Sequence, residues 1–161
     1  MAYQDGSRVA LKLAEIEQAI QETNIELLAL SDAPLSTSAE QLAQREREFK
    51  RLTDRLHGLR AAGQLQQELE SEELRESERQ CANGGGKKMK YYGYREVKIC
   101  FLGGLEIRLW ARYYARNQTR ADKCKGAYIG LLLLGVHDGC SPALASQVAK
   151  LAAAMNSLED A

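Results

Sequence analysis

The chain has 161 residues, four cysteines, two prolines and a formal net charge of zero. This length suits one domain, or a small domain with a helical arm. The neutral total conceals a division of charge, with balances of −6 over residues 1–86, +8 over 87–125 and −2 over 126–161. The basic central quarter favours a polyanion partner, although an ordinary solvated face would give the same count.

The N-terminal part of the chain predicts two helices. Residues 7–30 carry apolar side chains at helical spacing, and Pro34 ends this helix because proline cannot continue it. Ser38 to Gln41 has the form of a capping box, which predicts the start of the second helix. Apolar residues on heptad positions of the second helix predict a helical hairpin or one half of a dimer seam. Packing of this stripe on the rest of the domain is an equal alternative. The predicted seam residues are Leu42, Phe49, Leu52 and Leu56.

The end of this helical part is less regular. Gly58 and Gly63 weaken the predicted helix, and residues 66–80 suit either a solvated helix or disordered chain. Residues 83–86, with the sequence Asn-Gly-Gly-Gly, predict a flexible joint. The following lysines do not complete a phosphate-binding loop, since Lys88 stands where that motif requires serine or threonine.

Two alternating runs, 96–102 and 105–114, predict a β-hairpin across the pair Gly103-Gly104. A three-residue loop with a glycine at positive φ keeps the apolar residues together. It pairs Phe101 with Ile107 and Ile99 with Leu109, and it places Glu96 opposite Arg112 and Cys100 opposite Arg108. The opposite face then presents Lys98, Arg108, Trp110 and Arg112 to solvent or to a partner.

The basic residues of the hairpin and of the polar loop after it are the predicted contacts with a polyanion, because cations position a protein on phosphates. The tyrosines at 91, 92, 94, 113 and 114 and Trp110 are candidates for stacking or for packing, and core packing is favoured for Tyr113 and Trp110. The predicted contacts are Lys87, Lys88, Lys90, Lys98, Arg108, Arg112, Arg116, Arg120, Lys123 and Lys125.

The C-terminal part predicts a short buried helix or turn over residues 128–135, then a helix that starts with Ser141 as N-cap and Pro142 at its first position. His137 and Cys140, with Cys124 upstream, have weak spacing for zinc, so reduced structural or incidental cysteines are favoured. The apolar run is too short to span a bilayer, and the charged N-terminus does not resemble a signal peptide.

Two blocks of the chain resemble the N-terminal part of ISKra-type insertion-sequence transposases. One is the hairpin from Leu102 to Tyr114, and the other runs from Gly126 to Ser146. In such proteins a strand, a glycine turn, a basic strand ending in two tyrosines, a leucine-glycine block and a serine- or threonine-proline block come in this order. Residues 157–161 match the same pattern, so the resemblance covers residues from about 95 to 161. The helical half resembles no particular family.

This resemblance also indicates which functional parts of the resembled transposases have no counterpart in this chain. Many members carry a cysteine pair after the two tyrosines, whereas this chain has Ala-Arg-Asn-Gln at 115–118, so no metal site is carried over. The resemblance implies a separate RNase-H-like core with three carboxylates and two divalent metal ions. The acidic residues after the hairpin lie on no predicted strand framework. We therefore expect no catalytic residue and no cofactor in this chain, with magnesium implied only for the absent core.

The predicted fold class is α+β, with a long helical N-terminal arm (helical hairpin or coiled coil), a central basic antiparallel β-hairpin and C-terminal helices. We expect a helical arm over 1–82, a Gly/Lys-rich linker over 83–90 and a small DNA-binding region over 91–161. The predicted function is DNA binding by the non-catalytic N-terminal region, or a truncated product, of a bacterial transposase in the cytoplasm, associated with the nucleoid. The predicted partners are DNA and a second copy of the chain, without a membrane or a small-molecule substrate. The alternative is a helical oligomerising module that binds an acidic protein.

Overall fold

The computed structural model describes residues 2–85, 88–116 and 126–159, with side chains described for 6–85, 88–116 and 126–155. The fold is α+β, as predicted, with long N-terminal helices, a two-stranded antiparallel sheet and C-terminal helices. The elements in chain order are α1 (Ala2–Ser31), α2 (Ala39–Glu70), α3 (Glu72–Gly84), β1 (Met89–Cys100), β2 (Glu106–Arg116), α4 (Ile129–Leu133) and α5 (Pro142–Glu159).

The start of α2 confirms the predicted capping box, and α3 begins with a serine cap that the sequence pattern did not indicate. The Ser38 hydroxyl accepts a hydrogen bond from the Gln41 N–H at 3.2 Å, and the Gln41 side chain reaches back to the Thr37 N–H at 2.9 Å. Ser71 separates α2 from α3, and its hydroxyl accepts from the Leu74 N–H at 3.3 Å. The polar segment 66–80 is therefore helical with one break, because a serine in extended conformation caps the second part.

The first two helices form an antiparallel hairpin. Glu26 of α1 lies 3.5 Å from both Arg51 and Arg55 of α2, and Ile16 lies against Gly63. Contacts nearer the start of α1 thus fall nearer the end of α2. The helical hairpin, one of the predicted arrangements, is the one that the structure contains.

This packing corrects the predicted dimer seam. Leu52 is 2% exposed within a single chain, whereas Leu42 is 51% exposed, and Phe49 and Leu56 are half-buried. A residue that its own chain already covers cannot lie in a seam with a second copy. The four residues therefore form no continuous apolar stripe on the surface, because residues at the heptad positions also pack within the chain.

One hydrophobic cluster joins both predicted parts of the chain. It brings residues of the helical hairpin together with residues of both strands and of α4, so the helical arm packs on the α+β region around a common core. The predicted linker, residues 83–90, separates the two parts in the sequence, but residues from both sides of it share this core. The buried members of this cluster are Ile16, Ala62, Leu69, Ile99, Phe101, Leu109, Ala111, Leu131 and Val136.

The strand register differs from the predicted one by two residues. Ile99 pairs with Ile107 and Val97 pairs with Leu109, while the Phe101 N–H donates to the Leu105 carbonyl at 2.9 Å. The loop has three residues, as predicted, and comprises residues 102–104. Both of its glycines have positive φ, of 91° and 88°. A shift of two residues leaves every side chain on its predicted face, because strand side chains alternate with period two.

Gly58 has a packing role that its weak helix propensity does not indicate. Helix α2 continues through this position, and a Cβ there would lie 2.7 Å from both Cβ and Cδ2 of Leu105. Leu105 follows the loop of the β-hairpin, so Gly58 provides the notch in α2 that receives the base of this loop. The close approach requires a residue without a side chain.

Gly58→Ala is expected to destabilise the protein by roughly 1–3 kcal/mol through overpacking, although alanine is favoured over glycine in a helix by about 1 kcal/mol. Urea unfolding followed by circular dichroism measures this change. Gly6→Ala in α1 is the matched control, because nothing lies within 4 Å of a Cβ at that position. If the two substitutions stabilise the protein equally, the notch does not constrain the packing.

The C-terminal elements follow the prediction. Helix α4 is the short buried helix, with Ile129, Gly130 and Leu131 buried. The Ser141 hydroxyl accepts from the Leu144 N–H at 3.4 Å at the start of α5. The apolar stripe of α5 is exposed, at 56–64% for Val148, Leu151 and Met155. No helix among the described residues is both long and apolar enough to cross a membrane.

Candidate nucleic-acid interface

Arg112, predicted as an exposed phosphate contact, is a buried structural residue. It is 7% exposed, and its Nε donates to Glu78 Oε2 at 2.5 Å, while Glu78 itself is 1% exposed. Its guanidinium also donates to the Leu69 carbonyl and to the Tyr94 hydroxyl. Burial alone would lower the pKa of Arg112, but the hydrogen bond and the charge of Glu78 outweigh it and raise this pKa. Arg112 is therefore committed to Glu78 and is not available to DNA.

The reason for this burial is that the second half of β2 is covered on both faces. Ala111 and Ala115 are 2% and 5% exposed, and Arg112 and Tyr114, at alternating positions between them, are 7% and 6% exposed. The sequence pattern placed Arg112 on a polar face, and it contained no sign that α3 covers that face. Glu78 was missed for the same reason, since the segment 66–80 lacks the apolar periodicity that would indicate a buried side.

Two tyrosines join Arg112 in one buried network. The Tyr94 hydroxyl donates to the Glu70 carboxylate at 2.8 Å, and the Tyr114 hydroxyl donates to Glu78 at 3.1 Å. Burial, and next the hydrogen bond to Glu70, raise the pKa of Tyr94. Burial, and next the charge of Glu78, raise the pKa of Tyr114 to about 12. Both phenols therefore stay protonated at neutral pH, so that each hydroxyl can donate its hydrogen bond to a carboxylate.

Glu78 also defines the position of α4. A Cβ at Gly130 would lie 2.1 Å from Glu78 Oε1, so the carboxylate lies directly against the first turn of α4. Glycine permits this approach because it has no side chain. Glu78 thus connects α3, β2 and α4.

The outer edge of β2 is closed by other parts of the chain. Gln66 of α2 donates its Nε2 to the Trp110 carbonyl at 2.9 Å, and its Oε1 accepts from the Trp110 N–H at 2.8 Å. Farther along, Ala127 exchanges two backbone hydrogen bonds with Tyr114, at 2.9 and 2.7 Å. The Gln66 amide thus occupies the place of a neighbouring strand's peptide group at an edge that would otherwise be open to pairing.

The cations near the loop of the β-hairpin are paired with acidic residues. Lys98 lies 2.8 Å from Glu106, and Arg108 lies 3.7 Å from Glu96. Both cations are exposed and lie on the predicted face. The shifted register is what brings these pairs together, since Lys98 stands directly opposite Arg108 and Cys100 opposite Glu106.

The other end of the β-hairpin, which we call the open end, carries exposed cations of a different kind. Lys88, Lys90 and Arg116 are exposed. Lys90 stands opposite Ala115 and Arg116 stands opposite Met89, so Lys90 and Arg116 lie at the same end of the β-hairpin on opposite faces. None of the three takes part in the ion pairs formed within residues 6–85, 88–116 and 126–155. The predicted contacts Lys87, Arg120, Lys123 and Lys125 lie outside the described residues.

The aromatic residues divide into packed and exposed ones. Tyr113 lies against Tyr128 with ring centroids 5.2 Å apart, and the guanidinium of Arg95 lies 3.7 Å from the centre of its ring. Trp110 is half-buried and receives Arg8 at 5.4 Å. The packing role favoured for Tyr113 and Trp110 is thus the one observed. Tyr91 and Tyr92, by contrast, are 48% and 49% exposed at the open end.

His137 and Cys140, which the sequence offers as zinc ligands, lie beside Cys100 at the end of β1. The backbone of Cys140 pairs with that of Cys100 in a parallel arrangement, and the His137 carbonyl accepts a hydrogen bond from the Cys140 N–H across a tight turn at 2.8 Å. Cys100 and Cys140 are free and half-buried. Within the described ranges, no group of three His, Cys, Asp or Glu residues is placed to hold a metal ion. Cys124 lies outside those ranges.

Comparisons with protein-family models, with curated proteins and with solved structures found no match. The resemblance to ISKra-type transposases, and the function that it implies, therefore stay predictions. The candidate interface depends on the geometry of the described residues, and the open end of the β-hairpin is its best-supported location.

Proposed function

We propose that this chain binds DNA as the non-catalytic N-terminal region of an insertion-sequence transposase, and that the open end of the β-hairpin is the contact surface. One observation carries the choice of surface. Lys88, Lys90 and Arg116 are exposed there and form no ion pair with the described part of the chain. Cations of this kind can contact phosphates without first separating from a carboxylate.

The charge around the two ends of the β-hairpin supports this choice. A phosphate that approaches Lys98 or Arg108 also meets the carboxylate of Glu106 or Glu96 at 2.8 or 3.7 Å from the cation. Phosphate contacts give most of the affinity in non-specific binding, because each neutralised phosphate releases condensed counterions. The open-end cations, which form no ion pair within the described residues, are therefore the stronger candidates. The sequence places four further cations, Lys87, Arg120, Lys123 and Lys125, in the neighbouring segments.

The test compares two double variants that each remove two positive charges. Lys90→Ala with Arg116→Ala removes the open-end pair, and Lys98→Ala with Arg108→Ala removes the paired cations. For a duplex of fixed length, affinity is measured as a function of salt concentration. We expect the first variant to flatten the log–log slope by about 1.8, which corresponds to two lost phosphate contacts, and the second to leave it nearly unchanged.

Two results would contradict the proposal. A flatter slope for the Lys98/Arg108 variant alone would move the interface to the loop end of the β-hairpin. Unchanged slopes for both variants, with circular dichroism melts like that of the unmodified protein, would remove the hairpin from the interface. Displacement of DNA by poly-glutamate at equal charge concentration would instead favour the alternative, a module that binds an acidic protein through the same cations.

A further inference from the structure

Two adjacent tyrosines at the open end combine exposure with a fixed position. Tyr91 and Tyr92 are 48% and 49% exposed, although tyrosine usually buries most of its ring in a folded domain. The neighbouring Lys90 is exposed on the same strand, and Arg116 is exposed on the strand beside it. Exposed aromatic side chains beside cations are the arrangement that proteins use to bind unpaired bases.

The ring of Tyr91 is held by two anchored neighbours. Its centroid lies 6.4 Å from the ring of Tyr94, edge-on at 89°, and 5.8 Å from the ring of Tyr114, tilted at 51°. Both neighbours are fixed at their hydroxyl ends, Tyr94 by Glu70 and Tyr114 by Glu78. The buried network around Arg112 therefore extends to the surface through these rings, and it orients Tyr91 before any ligand arrives. Such pre-organisation lowers the entropy lost on binding.

A β-bulge sets the position of Tyr92. The register shifts between Tyr91, which pairs with Tyr114, and Tyr94, which pairs with Arg112. Tyr92 and Gly93 thus stand opposite the single residue Tyr113, and Gly93 has a φ of 91°. A bulge at this place redirects the side chains of the strand locally. The glycine at positive φ makes this irregularity a built feature of β1.

Tyr91 shares the face of its partner Tyr114, and Tyr92 lies on the other face, opposite Tyr113. We propose that Tyr91 and Tyr92 each form a stacking platform for an unpaired base, one on each face of β1, so that the preferred ligand of the open end is single-stranded DNA. This inference rests on the proposed function, because it assigns the strandedness of the DNA bound at the same surface. Lys90 and Arg116 contact the phosphates, and the tyrosine rings contact the faces of the bases. Stacking of this kind depends little on sequence, because every base has an aromatic face.

The test uses the full chain and three ligands of equal length: oligothymidine, the same backbone with abasic sites, and a duplex. Binding is measured by fluorescence anisotropy at one salt concentration with Tyr91→Ala, Tyr92→Ala and the corresponding Phe variants. Each alanine variant is expected to weaken oligothymidine binding by roughly 5- to 150-fold per stacked base. The abasic ligand should bind equally to all variants, and the Phe variants should bind like the unmodified protein.

The outcomes separate this inference from the proposed function. Equal affinity of the unmodified protein for oligothymidine and for the abasic ligand would overturn stacking and leave phosphate binding intact. Tighter binding of the duplex, unchanged by the alanine variants, would also overturn it while supporting DNA binding. Failure to bind any of the three ligands would remove both proposals. Equal weakening for the abasic ligand, with a lowered melting temperature, would assign the tyrosines to folding and overturn the platform.

Discussion

Arg112→Ala is expected to destabilise the protein by about 3–5 kcal/mol, because it leaves the carboxylate of Glu78 buried without its cation. Glu78 is 1% exposed and Arg112 is 7% exposed, so solvent screens their interaction only weakly. The same substitution removes donors to Leu69 and Tyr94. A loss of this size is a large fraction of the stability of a small domain. Urea or thermal unfolding followed by circular dichroism measures it.

Arg108→Ala is the matched control, since Arg108 lies four residues away on the same strand and its side chain is 69% exposed. A surface pair such as Arg108 with Glu96 contributes about 0–1 kcal/mol, so this variant should unfold like the unmodified protein. Combining Arg112→Met with Glu78→Gln should cost less than the sum of the single changes, because no uncompensated charge then stays buried. Equal stability of the Arg112 and Arg108 alanine variants would contradict the assignment of Arg112 to the core.

This result also determines how DNA binding can be tested. The alternating sequence alone predicts that a variant combining Arg108→Ala with Arg112→Ala removes two surface cations and leaves the fold intact. The buried ion pair makes that expectation wrong for Arg112, since a loss of affinity would then report unfolding. The comparison of Lys90 and Arg116 with Lys98 and Arg108 avoids this problem, because all four side chains are exposed.

Gln66→Leu is expected to destabilise the protein by about 2–4 kcal/mol, because it leaves the Trp110 N–H and carbonyl without partners at a covered strand edge. Gln66 has no exposed surface, and its amide makes both bonds to the same residue, at 2.9 and 2.8 Å. Leucine has a similar volume, so the expected loss comes from unpaired polar groups rather than from a cavity. Chemical denaturation gives the change in unfolding free energy.

The neighbouring Gln67 provides the control, since it lies on the same helix and is exposed. Gln67→Leu makes the same change of side chain and leaves the hydrogen bonds between Gln66 and Trp110 in place. Hydrogen exchange of the Trp110 amide adds a local measurement. In the Gln66 variant, exchange should accelerate more at the Trp110 amide than at the Leu109 amide, because Leu109 pairs with Val97 of β1. If both glutamine variants have equal stability and equal Trp110 exchange, Gln66 does not hold the strand edge.

Several features of the fold follow from the sequence alone. The apolar spacing of α1, the Ser38 cap, the Ser141-Pro142 start of α5 and the alternation of β1 and β2 are local patterns. Each depends on residues within a few positions of each other, and backbone geometry converts them directly into structure. The two glycines at positive φ in the hairpin loop are predictable for the same reason, because turn chemistry is local.

The basic character of the candidate interface was also evident from the sequence, since eleven cations lie in residues 87–125. Which of those cations are available was decided by tertiary contacts. Lys98 and Arg108 meet carboxylates across the strands, and Arg112 meets a carboxylate 34 residues away in α3. The sequence alone therefore indicated a basic segment, but the contacts predicted from it include the buried Arg112. It did not indicate that Arg95 lies over the ring of Tyr113.

Charge and polarity describe a residue, whereas burial depends on what the folded chain brings against it. The sequence by itself determined the helices, the β-hairpin, its apolar face and its basic composition, because these depend on local spacing and composition. Only the tertiary structure decided the register, the burial of Leu52, the notch at Gly58 and the partners of Gln66 and Glu78. A period of two cannot distinguish registers that differ by two residues, and a polar side chain becomes a core residue only when a distant partner satisfies it.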